Sequence, residues 1–227
     1  MNLKKKLLSE FIGTLGLLMI VVGSGIMGES LSQGNLAIAL LANSLATGAG
    51  LFVLIEIFGP ISDAHFNPAV SMIEFSQKNI TKKEFTAYIM VQIIGAVIGV
   101  WLTHFIFGQN ILQTSSHDRG EFPLFASEAL ATCGLILVIL LSAKKNSNRT
   151  SLIVAAYITA AYWFTSSTSF ANPAVTLARS LTNTFSGIKS SGVLGFILAQ
   201  IIGAIIGLGV FQLFKNDNTK PSEAKSK

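Results

Sequence analysis

The second half of this 227-residue chain repeats the first, and each half carries an odd number of apolar runs. Ser9-Glu10, followed by Thr14 and Gly16, returns as Ser127-Glu128, followed by Thr132 and Gly134. Asn67-Pro68-Ala69-Val70 returns as Asn172-Pro173-Ala174-Val175, and Gln92-Ile93-Ile94-Gly95-Ala96 as Gln200-Ile201-Ile202-Gly203-Ala204. Three matches in the same order, at offsets of 118, 105 and 108 residues, mark an internal duplication. With three runs in each half, the second unit starts from the opposite side of whatever the runs cross, so the repeat is inverted.

What they cross is a bilayer. Apolar runs near the roughly 20 residues that span one fall at about 7–27, 36–58, 84–107, 123–143, 150–166 and 191–214. Charged residues make up 12% of the chain, about half the share usual in soluble proteins. The first run follows Lys4, Lys5 and Lys6, but it is too long for a signal peptide and no small-residue cleavage site follows it. The net charge of +5 raises nucleic acid as a partner, yet the basic residues sit in short clusters between the runs rather than in a stripe with aromatics. Placing both termini in the cytoplasm puts 13 of the 16 Lys and Arg on that side, leaving only Arg119, Arg179 and Lys189 elsewhere. The expected organisation is a first repeat over 1–115, a second over 116–215, and a disordered cytoplasmic tail over 216–227.

Two segments, roughly 59–77 and 167–183, lie between runs and are too short to cross. Each holds Asn-Pro-Ala ahead of a helix-compatible stretch. Asn is a good N-cap, and Pro suits the first helical turn, where its missing N–H has no partner to lose. Each motif therefore starts a half-helix. Two half-helices entering from opposite faces point their positive dipole ends at one another, and that meeting point repels cations.

Glu10 with Thr14, the run His65-Phe66-Asn67-Pro68-Ala69-Val70, and Asn172-Pro173-Ala174 together resemble the aquaporins and aquaglyceroporins of the major intrinsic protein family. The resemblance covers nearly the whole chain. It implies an all-α membrane protein with six transmembrane helices and two re-entrant half-helices in an inverted repeat. It implies a passive channel for water and small neutral solutes, with no cofactor or metal, assembled as a homotetramer in the plasma membrane with one pore per subunit. Asn67 and Asn172 then donate hydrogen bonds to solutes in single file, while Glu10, Glu128 and His65 brace the re-entrant loops.

One departure from the family pattern bears on the cargo. Most members carry Arg directly after the second Asn-Pro-Ala, where it helps to form a narrow outer filter; here that residue is Val175. Counting without gaps from each Asn, the other filter positions resemble Thr47, Ala160 and Ser169, a small and uncharged set that implies a wide filter. Removing a fixed cation lowers the barrier to protons and other cations, so the half-helix dipoles must supply more of it. Arg179 follows Asn172 by seven residues, returning to the same helix face about 10 Å farther out. It either faces the outer mouth or packs against loops and snorkels to the surface. The run Asn172 to Ser186 is similar to a bacterial subgroup associated with arsenic resistance. That likeness implies arsenous acid and related neutral hydroxylated species as cargo beside glycerol-sized solutes.

The remaining polar residues have structural readings. Asp63 and Glu56 are expected to face the cytoplasmic vestibule, Cys133 to be a small core residue, and Tyr162-Trp163-Phe164 to form an interface belt. A pore-lining role for one of those aromatics requires the gapless count to slip by two. Gly95-Ala96-Val97-Ile98-Gly99 and Gly203-Ala204-Ile205-Ile206-Gly207 predict close crossing of the third and sixth runs. A coupled transporter needs an ion site, and the spans offer little beyond the mirrored glutamates. An intramembrane enzyme needs a nucleophile with a base, or a metal site, and His65, His104 and His117 show no such spacing.

Overall fold

The computed structural model describes residues 1–144 and 149–216, and among these all regular structure is helical. The order is α1 (Leu3–Leu31), α2 (Leu36–Ser62), α3 (Pro68–Ser76), α4 (Lys82–Ile106), α5 (Phe122–Lys144), α6 (Thr150–Phe164), α7 (Pro173–Arg179) and α8 (Ser190–Asn216). Starts are set by side chains that occupy orphan backbone N–H groups. Asn2 and Asn35 cap α1 and α2, and Thr81 with Glu84 forms a reciprocal capping box on α4. The tail expected from 216 onward falls, beyond Asn216, outside the described residues.

Among the described residues, five helices are long and apolar enough to cross a membrane. The fifth expected span, α6, has 15 residues and rises about 22 Å, short of a hydrocarbon core of about 30 Å. It stops because Thr165 turns to extended backbone while its hydroxyl donates to the Ala161 carbonyl at 2.6 Å. The second run, read to about residue 58, continues as helix past Pro60 to Ser62 and closes at Asp63 in the left-handed region.

Each half forms its own bundle: α1 packs against α2 and α4, α5 against α6 and α8, and α2 meets α6 to join them. The glycine pairs explain the tightest contacts, though not as the sequence suggested. Gly95 and Gly99 bring α4 onto α1, where an added Cβ would lie 2.6 Å from the Phe11 carbonyl oxygen and 2.5 Å from that of Leu15. Gly203 and Gly207 bring α8 onto α5 in the same way, against the carbonyls of Ala129 and Cys133. Each glycine-bearing helix therefore crosses the first helix of its own repeat. The outward faces carry Leu41, Leu45, Val53, Ile94, Leu198 and Ile202, all exposed, as befits helices solvated by lipid.

Polar side chains concentrate inside instead. Glu10, Glu128, Gln92, Gln200, His104 and Thr103 are fully buried. The hydrogen bonds of the two glutamates and the two glutamines hold the half-helices and the loops that lead into them.

Candidate functional site

The chain that leads into each half-helix is held in an unfavourable backbone conformation. Asp63, Ala64 and Phe66 have φ of 67°, 49° and 47°, and their counterparts Thr168, Ser169 and Ala171 have 64°, 50° and 47°. Each such non-glycine residue costs about 1–3 kcal/mol and persists only where its surroundings impose it. Here a buried carboxylate does so. Glu10 accepts from the backbone N–H of His65 at 2.9 Å and of Phe66 at 2.7 Å, and also from Ser62 Oγ and Gln92 Nε2. Glu128 accepts from the N–H of Phe170 and of Ala171, both at 2.8 Å, and from Gln200 Nε2 at 2.6 Å. The two glutamines donate onward to Ser71 of α3 and Thr176 of α7.

The two motifs then close on each other. Asn67 Oδ1 accepts from Ala69 N–H at 2.9 Å, and Asn172 Oδ1 from the N–H of Ala174 and Val175. With the oxygens capping their own helices, the amide nitrogens cross over. Asn67 Nδ2 donates to the Ala171 carbonyl and Asn172 Nδ2 to that of Phe66, each at 2.8 Å. Each Nδ2 carries two hydrogens, so one donor per Asn is left over.

Both asparagines line a cavity of about 430 Å³. It runs from Asp63, His65 and Glu74 at the α3 end, past Asn67 and Asn172, to Ser169 and Arg179 at the α7 end. Apolar residues such as Val21, Leu51, Ile55 and Val154 form the facing wall. A polar strip on one side and an apolar wall on the other let a solute exchange hydrogen bonds without binding tightly.

Of the four expected filter residues, Thr47, Ser169 and Val175 line the α7 end of this cavity. Ala160 does not: it is exposed on the far face of α6, and Tyr162 lines the cavity instead, its hydroxyl 3.2 Å from Thr47 Oγ1. Two residues rotate a helix by about 200°, so a count that slips by two exchanges the pore face for the lipid face. Trp163 and Phe164 are exposed at the end of α6, Trp163 donating from its ring N–H to Ser44.

Arg179 joins the two readings the sequence left open, because it packs against loops and faces the cavity. It is 2% exposed, its guanidinium lies 3.3 Å from the centre of the Phe170 ring, and Nε donates to the Ser186 carbonyl. Arg119, from the segment between α4 and α5, lies 5.3 Å from the same ring and donates to the carbonyls of Gly187 and Ser167. The Ser169 hydroxyl is buried at this end with no protein partner.

At the other end His65 meets the Ser71 hydroxyl at 3.0 Å and sets its ring edge against Tyr88, 5.2 Å between centres. Asp63 and Glu74 line that mouth; Glu56 does not, accepting instead from Ser151 of α6. Residues passed over in the sequence include Ser62 and Ser167, whose hydroxyls receive the N–H of Ala64 and of Ser169, both at 3.2 Å. A signal was present, since they are related by the same 105-residue offset as the Asn-Pro-Ala motifs.

The same architecture occurs in known proteins. The X-ray structure of the aquaglyceroporin from Plasmodium falciparum superposes with a TM-score of 0.77 over 95% of this chain and 98% of that one, at 20% identity. In sequence, the chain is 44% identical to aquaglyceroporin AqpS of Rhizobium meliloti (strain 1021), over 93% of its own length and 90% of that protein. It is 28% identical to aquaporin NIP2-1 of Arabidopsis thaliana, over 98% of its own length and 80% of that protein. The model of the major intrinsic proteins matches residues 1–166 and 150–227. The chain therefore belongs to the major intrinsic protein family, whose members are passive membrane channels and not enzymes.

Proposed function

We propose that this channel passes water, glycerol-sized polyols and uncharged hydroxylated metalloid acids such as arsenous acid, through a wide outer filter at the α7 end. The observation that carries the reading is Val175, buried and lining the cavity directly after the second Asn-Pro-Ala, where a short apolar side chain replaces a long cationic one. The filter of this proposal is Thr47, Tyr162, Ser169 and Val175. Its hydroxyls match the donors and acceptors of a polyol or a neutral trihydroxy acid. The name of the Rhizobium meliloti relative, an aquaglyceroporin, points the same way.

Asn67 and Asn172 each offer a spare N–H to passing solutes, and α3 and α7 set their N-termini against each other to repel cations. Arg179 adds a fixed charge at the outer mouth. Its Nε is engaged by Ser186, and no protein acceptor among the described residues takes its terminal N–H groups, which leaves them to solutes. Glu10 and Glu128 hold the loops, with His65 bracing the first. Both termini lie in the cytoplasm, on the charge distribution of the loops, and the protein works as a homotetramer in lipid with one pore per subunit.

A second reading, a water-selective pore, draws on Tyr162 and Arg179, since an aromatic ring and a guanidinium line the same end. Stopped-flow light scattering on proteoliposomes separates the two by comparing water, glycerol and arsenous acid for the wild type and Val175→Arg. The wide filter requires that the wild type pass all three and the variant retain only water. A wild type that passes water alone establishes the second reading.

A further inference from the structure

A second cavity, of about 310 Å³, lies on the opposite side of the half-helices from the pore. Its floor is Pro68 and Met72 of α3 with Pro173 and Leu177 of α7; its walls are Ile89 and Ile93 of α4 and Ile197 and Ile201 of α8. The lining is symmetric about the repeat, because Pro68 and Pro173, Met72 and Leu177, Ile89 and Ile197, and Ile93 and Ile201 occupy equivalent places in the two halves. The slot exists because the half-helices wedge α4 and α8 apart. Each of those helices packs chiefly on the first helix of its own repeat, and the space between them is left unfilled.

We infer that this slot is a binding site for the end of a phospholipid acyl chain. Three observations select that occupant. First, every lining side chain is apolar, so a water there finds none of the two to four polar partners it needs. Second, the slot opens to the outside of the molecule: Leu177, although on a half-helix, is 36% exposed, and Met90, Ile94, Leu194 and Leu198, on the two helices that form the walls, are exposed apolar side chains. Third, the slot sits where the two half-helices meet, near mid-bilayer and about 15 Å from either headgroup layer. Headgroups do not reach that depth, and acyl-chain ends do. A flexible chain also fits a concave slot flanked by projecting side chains, which hold off the flat face of a second helix bundle.

Occupancy has a consequence for the pore. The prolines on the floor open the same helices whose N-terminal dipoles face the solute on the other side. A dipole acts more strongly the lower the dielectric around it. An acyl chain behind Pro68 and Pro173 keeps that side dry.

The test uses the whole protein in vesicles that contain a phospholipid with a diazirine at the end of one acyl chain. After irradiation, adducts are mapped by peptide mass spectrometry. The expected result is several-fold more adduct on Met72, Ile93, Leu177 and Ile201 than on the fully lipid-facing Met90, Ile94 and Leu198. Ile93→Trp, which fills the slot, lowers the adducts on Met72 and Leu177 several-fold, leaves those on Leu198 unchanged and retains water flux. An even spread over both sets overturns the proposal. So does absence of slot adducts together with disulfide-linked dimers of Ile201→Cys, which assigns the slot to a second copy of the chain. Neither outcome depends on which solutes the pore carries.

Discussion

The hydroxyls of Thr47 and Tyr162 lie 3.2 Å apart, joining α2 of the first repeat to α6 of the second at the α7 end of the pore. This contact decides which face of α6 the solute meets. Tyr162→Ala removes a ring from the cavity wall, and glycerol permeability is expected to rise on the order of tenfold, the effect of lowering a barrier by about 1.4 kcal/mol. Ala160→Leu, on the exposed face, is expected to leave glycerol and water flux unchanged. Stopped-flow measurements on both variants check the register, and the reverse pattern refutes it.

Arg179 is the fixed charge that lines the cavity at that end, stacked on Phe170 and held by Ser186. Arg179→Leu keeps an apolar contact with the ring and removes the charge. Proton leak into vesicles loaded with a pH dye, driven by a potassium diffusion potential, is expected to rise on the order of tenfold. An unchanged leak would mean that the half-helix dipoles, with Arg119 beside the same ring, exclude protons without Arg179.

Glu128 and Glu10 each satisfy two backbone N–H groups in strained loops as well as a glutamine amide. Alanine leaves three buried donors unmet at Glu128 and four at Glu10, where the Ser62 hydroxyl also donates, at about 1–3 kcal/mol each. Both variants are expected to lose most of their thermal stability in detergent, by similar amounts, followed as apparent Tm. A large loss in one half only breaks the structural equivalence of the repeats.

The glycine contacts make a paired prediction within α8. Gly203→Ala forces a Cβ into the Ala129 carbonyl and is expected to destabilise by about 1–3 kcal/mol, as overpacking does. Gly209→Ala meets nothing within 4 Å and is expected to stabilise by about 0.5–1 kcal/mol through backbone entropy. Apparent Tm values for the two report the difference in sign.

Much of this was legible from order and spacing alone. Apolar length specified the spans, the odd number per half specified inversion, and Asn-Pro-Ala specified both half-helix starts, because these depend on hydrophobicity and on local backbone chemistry. The mirrored glutamates were legible for the same reason: a buried carboxylate at equivalent places in two repeats calls for a shared structural partner. Other features needed the packed molecule. Ala160 and Tyr162 differ by two residues, and the choice between them turns on how far the Ser/Thr-rich chain from Thr165 to Ala171 advances between α6 and α7, which no helical count measures. The position of Arg179 depends on Phe170 and Ser186, one before and one after it in the chain, and neither is its neighbour until the loops fold. Gly95 and Gly203 announce close approach, but a glycine does not name what approaches it. The sequence by itself determined the elements, their direction and their pseudo-symmetry, since each is written in residues close along the chain. Only the tertiary structure decided which face of each element lines the pore, because a helix turns 100° per residue and the rotation is set by partners far away in sequence.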